Sequence, residues 1–129
     1  MRPLVTNMDA RRLRSLLATP VARQSPLAAS LLERKLLRAA KVPTADVPRT
    51  IMTMNARARC RGAEDGRERE LTLVYPWASA PGVGRVSILS APGVELLGAT
   101  PGDLLVLGDD LWQILDVAFQ PEAEALFHL

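Results

Sequence analysis

Between Lys41 and Pro48 the hydrophobic period of this chain changes from that of a helix to that of a strand. Upstream, Leu13, Leu16 and Leu17, and then Ala28, Leu31, Leu32, Leu36 and Ala39, recur at the spacing that lines one helical face. Downstream, Met52, Met54, Ala56, Ala58 and Cys60 alternate with Thr53, Asn55, Arg57, Arg59 and Arg61, the pattern of a half-buried strand. One backbone geometry cannot bury both sets, because side chains repeat every 3.6 residues in a helix and every two in a strand. The chain is therefore expected to be α+β, with a short antiparallel helical hairpin in residues 1–42. A linker over 43–48, marked by Pro43 and Pro48, leads to an antiparallel sheet carrying one short helix in residues 49–129.

Local signals fill in this outline. Asn7 and Asp9 suit a helix start, since short oxygen side chains accept from free backbone N–H groups. Pro20 ends that helix, Thr19 to Gln24 form the connection, and Ser25-Pro26 restarts the chain as cap and first helical residue. Asp65-Gly66 predicts a two-residue hairpin turn. Folding there sets Cys60 opposite Leu71, Ala58 opposite Leu73, Ala56 opposite Tyr75, and Arg61 opposite Glu70 on the wet face. Arg85 to Leu89 reads as a third strand and Pro92 to Leu97 as a short helix stopped by Gly98. Leu104 to Leu107 and Leu111 to Phe119 read as the last two strands, turning at Gly108-Asp109-Asp110. The final strand alternates poorly: Trp112 and Ile114 face one way, and Leu115, Val117 and Phe119 the other. It is either central and covered on both sides or bulged.

Composition narrows the function classes. The 129 residues are 48% apolar, enough for a packed core, but include only two Trp, one Tyr and two Phe. A net charge of +2 hides an asymmetry. Residues 1–48 hold nine Lys or Arg and three Asp or Glu, whereas residues 49–129 hold seven and eleven. That division favours docking on a macromolecule through local fields over uniform polyanion binding. Cys60 is the single cysteine, which excludes an intrachain disulfide and a cysteine metal cage. The start has no apolar run long enough for a signal peptide and no later stretch spans a bilayer, so a cytoplasmic protein without membrane contact is expected. No coiled-coil pattern is long enough to demand a dimer, and a monomer is expected.

The order and spacing of several segments carry more information than any one of them. They are Met52-Thr53-Met54-Asn55, Leu71-Thr72-Leu73-Val74-Tyr75-Pro76, Val86-Ser87-Ile88-Leu89-Ser90, Leu96-Leu97-Gly98, Pro101-Gly102-Asp103 and Gln120-Pro121-Glu122-Ala123. Together they resemble the C-terminal domain of the bacterial Gre-type transcription factors, nearest to the Rnk branch (regulators of nucleoside diphosphate kinase). The resemblance implies an FKBP-like second part, a curved sheet wrapped on the short helix, and RNA polymerase as partner.

In Gre-type cleavage factors a long coiled coil enters the polymerase secondary channel and carries acidic residues to the active-site magnesium. Carboxylates suit that task, because Mg²⁺ takes hard oxygen ligands. Here the tip reads Ala18-Thr19-Pro20-Val21-Ala22-Arg23-Gln24-Ser25, without Asp or Glu, and the second helix would extend only about 22 Å. The expected function is thus a non-catalytic regulator that binds near the secondary channel and competes with longer factors, with Pro20 and Arg23 at its tip. A plain turn explains the tip equally well. Ser90-Ala91-Pro92-Gly93 corresponds by position to the family's Ser-Pro-Leu-Gly segment, which grips the coiled coil at the channel rim. Ala91 replaces its Pro and Pro92 its Leu. As a unit these four residues read as a partner contact, while Ser90 alone reads as a helix cap.

Other residues carry weaker signals. Arg57, Arg59 and Arg61 read as a solvated row balanced by Glu68 and Glu70. Arg11, Arg12, Arg14, Arg34, Lys35 and Arg38 allow incidental nucleic-acid contact, or are simply solubilising. Cys60 reads as a small core residue, and Trp77 as either an exposed anchor or a ring folded back on the sheet. His128, beside the C-terminus, is a poor general base. No phosphate loop or metal-ligand cluster is present, so no cofactor is expected. Two alternatives remain at this level. A prolyl isomerase would need Tyr75, Trp77, Trp112, Phe119 and Phe127 to converge on one pocket, and a general nucleic-acid-binding module fits poorly with the acidic C-terminal half.

Overall fold

A computed structural model describes residues 2–126 as an α+β protein with four helices and a five-stranded sheet among those residues. The chain opens with β1 (Leu4–Thr6), α1 (Asn7–Leu17), α2 (Pro20–Arg23), α3 (Pro26–Arg38) and β2 (Ala40–Val42). It continues with β3 (Arg57–Gly62), β4 (Glu68–Val74), β5 (Arg85–Ser87), α4 (Ala91–Leu96), β6 (Leu104–Leu107) and β7 (Asp110–Phe119). The large sheet has the order β5-β4-β3-β7-β6, and β1 and β2 form a separate parallel pair.

The helical segments follow the apolar stripe, with corrections at their ends. Thr6, not Asn7 or Asp9, caps α1, its Oγ1 accepting from the Asp9 N–H at 3.0 Å. The predicted connection Thr19 to Gln24 contains the single turn α2, begun by Pro20. Ser25 holds the cap position of α3, but its hydroxyl makes no capping bond. Leu13, Leu32 and Leu36 are buried, and they join residues of the large sheet in one continuous apolar cluster. The strands β1 and β2 were not legible; three-residue pieces flanking helices carry too short a pattern.

The β3–β4 hairpin forms, but two residues out of the predicted register. Ala58 pairs with Leu71, Cys60 with Arg69, Arg59 with Glu70 and Arg61 with Glu68. A four-residue loop, residues 63–66, replaces the two-residue turn. Gly66 takes φ +69° and donates its N–H to Gly62 O, while Asp65 Oδ1 accepts from the Arg67 N–H. Ala63 is drawn out of the hairpin because its N–H donates to Leu111 O of β7. A shift of two preserves side-chain parity, so Ala58, Cys60, Leu71 and Leu73 are still fully buried.

Three further expectations change. The strand predicted to start near Met52 begins only at Arg57, because Asn55 adopts φ +66° and breaks the extended run, and Thr53 is buried, not wet. The sheet is not wholly antiparallel. The chain between Val74 and Arg85 turns at two prolines and re-enters so that β5 pairs parallel with β4, and β5 ends at Ser87. Strand β7 is both central and bulged. Leu115 and Ala118 are extra residues against β3, so Val117 packs on the core with Trp112 and Ile114 instead of opposing them.

Helix α4 starts one residue earlier than predicted, at Ala91, and stops before Gly98, which takes φ +79°. Ser90 caps it by accepting from the Gly93 N–H at 3.1 Å and donating to Ser87 O at 2.6 Å. Gly93 lies directly on the end of β5: a Cβ there would come within 1.9 Å of Ser87 O. On α1, Asp9 is buried and its Oδ2 accepts from the Met54 N–H at 3.0 Å, joining the helices to the approach to β3.

Two outcomes follow. Burial raises the Asp9 carboxyl from 3.8 to about 6, against the lowering effect of the Met54 N–H. A folded-state value above the unfolded one means stability is full below about pH 3.8 and is lost as pH rises through about 6. Urea unfolding across that range should show the protein losing about 3 kcal/mol relative to Asp9→Asn; parallel profiles would refute the assignment. Gly93→Ala gains about 1 kcal/mol of helix propensity, but the clash with Ser87 O should outweigh it and cost about 1–3 kcal/mol net, measured in the same way.

Candidate functional site

Ser90, Ala91, Pro92 and Gly93 form a rigid corner. Its start is held by Ser90 and by Ser87, whose Oγ accepts from the Leu89 N–H at 3.0 Å. Its far end is held by Lys35 of α3, which donates through Nζ to Val94 O at 2.6 Å and Glu95 O at 3.2 Å. That ammonium caps the last turn of α4, where the carbonyls lack helical partners. Burial, with Arg38 nearby, lowers Lys35 to about 8, so it is still mostly charged at neutral pH. With the corner pinned at both ends, Ala91 is exposed, Pro92 is half-buried and Gly93 is buried. Ser90 therefore acts as the cap read from the sequence, and Ala91 and Pro92 are the parts of the corner left accessible.

Pro20 and Arg23 are exposed on α2, which packs on α1 and α3, whereas α4 packs on α3, β4, β5 and β6. The two predicted contacts thus lie on different helices, each packed on α3. The tip has no carboxylate: α2 reads Pro-Val-Ala-Arg and has a basic last turn. Helix α3 has 13 residues and a length of about 20 Å.

The arginine row is occupied by its neighbours. Arg57 pairs with Glu70 at 3.1 Å, Arg61 with Glu68 at 3.3 Å, and Arg59 with both Glu68 at 3.0 Å and Asp116 at 2.6 Å. Cys60 is buried and burial pushes its thiol up to about 11, which leaves it protonated and inert. Trp77 is 74% exposed and stacks on Tyr75, the residue after β4, with centroids 5.1 Å apart and planes within 3°. Trp112 is buried in the sheet under Arg69, and Phe119 lies under Arg57, so the described aromatic residues do not converge. Phe127 and His128 lie outside the described residues. Among the described residues no group of three His, Cys, Asp or Glu could hold a metal, and no helix is long and apolar enough to cross a membrane.

Sequence reasoning missed a polar clasp. Gln120 Nε2 donates to Pro48 O and Ile51 O, both at 2.8 Å, and Thr53 Oγ1 donates to Glu122 Oε1 at 2.7 Å. The clasp joins two of the segments noted above, Met52-Thr53-Met54-Asn55 and Gln120-Pro121-Glu122-Ala123, which lie almost 70 residues apart. The available signal was Thr53, a polar residue whose burial the strand pattern hid. Also missed was the groove between α1 and the Tyr75–Ala78 turn.

Comparison with known proteins agrees with this architecture. Residues 47–108 match the family described as transcription elongation factor, GreA/GreB, C-term. The chain is 30% identical over 130 residues to the regulator of nucleoside diphosphate kinase of Escherichia coli K12, covering 93% of this chain and 91% of that protein. The solved structure of a prokaryotic transcription elongation factor GreA/GreB from Nitrosomonas europaea superposes with a TM-score of 0.75 at 31% identity, covering 92% of this chain and 99% of that one. GreA factor homolog 1 of Thermus thermophilus shares the fold, with a TM-score of 0.50 at 15% identity over 92% of this chain and all of that one. The chain belongs to the GreA/GreB transcription elongation factor family, in the branch of the regulators of nucleoside diphosphate kinase.

Proposed function

We propose that the protein is a non-catalytic transcription regulator that docks on RNA polymerase near the secondary channel and competes there with Gre-type factors. The observation that carries this reading is the tip: α2 has no Asp or Glu, and α3 is only 13 residues long. A channel-entering factor needs hard oxygen ligands to serve a magnesium-dependent cleavage reaction. This one would bring only Arg23 and Pro20 to the entrance and block it without supplying chemistry. In this reading residues 1–42 act as a stub hairpin, residues 43–48 as the linker, and residues 49–129 as an FKBP-like adaptor. Ala91 and Pro92 on the corner before α4 make the docking contact, supported by Ser90 and Gly93. The protein would work as a cytoplasmic monomer, without a cofactor. A prolyl isomerase is disfavoured because Tyr75 with Trp77, Trp112 and Phe119 sit in three different settings.

Immobilised core RNA polymerase should retain the full chain, and a Gre-type factor should displace it. Ala91→Arg alters an exposed side chain and should weaken retention about tenfold without lowering the melting temperature. Backtracked RNA should stay uncleaved in the presence of the protein and magnesium, and its cleavage by a Gre-type factor should slow as the protein is added. Absence of polymerase binding, or metal-dependent cleavage by the protein itself, would overturn the proposal.

A further inference from the structure

The groove between α1 and the Tyr75–Ala78 turn has a volume of about 710 Å³, within the range typical of small-ligand sites, and is walled among others by Arg11, Arg12, Leu16, Thr19, Tyr75 and Trp77. Its lining contains two arginines and no Asp or Glu. Arg11 is exposed and pairs with no carboxylate among the described residues. Arg12 is already engaged, and it acts on the buried Asp9 carboxylate and on Tyr75. One wall is therefore cationic. The other is a flat aromatic pair in which Tyr75 backs the Trp77 ring, and 74% exposure of Trp77 leaves its outer face open.

We propose that this groove binds a free nucleoside 5′-phosphate, its base stacked on Trp77 and its phosphates held by Arg11 with Arg12 beside it. Each part of the ligand answers one wall. An aromatic ring gains from stacking on an open indole face whatever its sequence identity, and a guanidinium fork matches phosphate oxygens in pairs. A purely apolar ligand would leave the arginine wall unused, and a simple anion would leave the indole unused. A nucleic-acid strand needs a basic track beyond one nucleotide, whereas the groove lining supplies only Arg11 and Arg12, and the facing Tyr75–Ala78 turn carries no Lys or Arg. This inference concerns a surface distinct from the Ser90–Gly93 corner and does not depend on polymerase docking.

Titration calorimetry on the full chain with ADP, pyrophosphate, adenosine and an adenine octanucleotide tests it. ADP should bind saturably, with a Kd on the order of 10–1,000 µM. Pyrophosphate and adenosine should each bind about tenfold more weakly than ADP, since each engages only one wall. Arg11→Ala and Trp77→Ala should each weaken ADP binding about fivefold or more. Arg11→Ala should leave the thermal melt unchanged, and Trp77→Ala should lower it only slightly through the lost Tyr75 stack, so melts of both variants separate lost binding from lost folding. No saturable ADP binding, binding indifferent to both substitutions, pyrophosphate binding as well as ADP, or tighter binding of the octanucleotide would each overturn the proposal.

Discussion

The hydrogen bond from the Met54 N–H to the Asp9 carboxylate is the contact on which the arrangement of this molecule turns. Residues 48–54 contain no helix or strand, yet Met52, Thr53 and Met54 are buried. Backbone groups placed in a core without secondary structure must find partners, or each costs about 1–3 kcal/mol. Here several of those groups are served. Asp9 accepts from Met54, Met52 exchanges bonds with Ala99 and Gly98, and Gln120 donates to the carbonyls of Pro48 and Ile51. The segment thereby fastens α1, the turn after α4 and the end of β7 together. Leaving a carboxylate buried is unfavourable when it ionises, which is why its proton affinity rises despite a bonding partner.

With the segment fastened, the large sheet divides into a dry face and a wet one. Ala58, Cys60, Leu71, Leu73 and Ile114 point inward, while Arg57, Arg59 and Arg61 meet Glu68, Glu70 and Asp116 outside. Those ion pairs are solvent-exposed, and pairs of that kind contribute at most about 1 kcal/mol each. Their main effect is to neutralise the wet face, which leaves little free charge there for a partner. The surfaces proposed to bind partners or ligands lie elsewhere, on the α4 corner, the α2 tip and the Trp77 groove. The corner is held by Ser90 at its own start and by Lys35, distant in sequence on α3, at its end.

Legibility followed the range of the interaction. The α3 stripe, the β3–β4 pairing, the Ser90 cap and the last hairpin were all readable, because each depends on residues within a few positions or on a simple period. The errors share a cause. The hairpin slipped by two because Ala63 bonds to β7, nearly fifty residues away, and the parity of the pattern cannot distinguish registers that differ by two. The bulges in β7 and the parallel pairing of β5 were likewise imposed by neighbouring strands. Of the candidate site, the Ser90–Gly93 corner was visible as a motif, but the groove was not, since its two walls come from α1 and a turn some sixty residues later.

Read alone, the chain determined its class of fold, the buried stripe of α3 and the inward residues of the β3–β4 hairpin, the absence of carboxylates from the tip, and the segments that mark its family. All of these are properties of composition, period and local order, which survive without coordinates. Only the tertiary structure decided that Gln120 and Glu122 clasp residues 48–54, that Lys35 pins α4, and that Arg11 and Trp77 share one groove. Burying a loop forces its polar groups to seek partners wherever the packed chain brings them, and that choice is made in space.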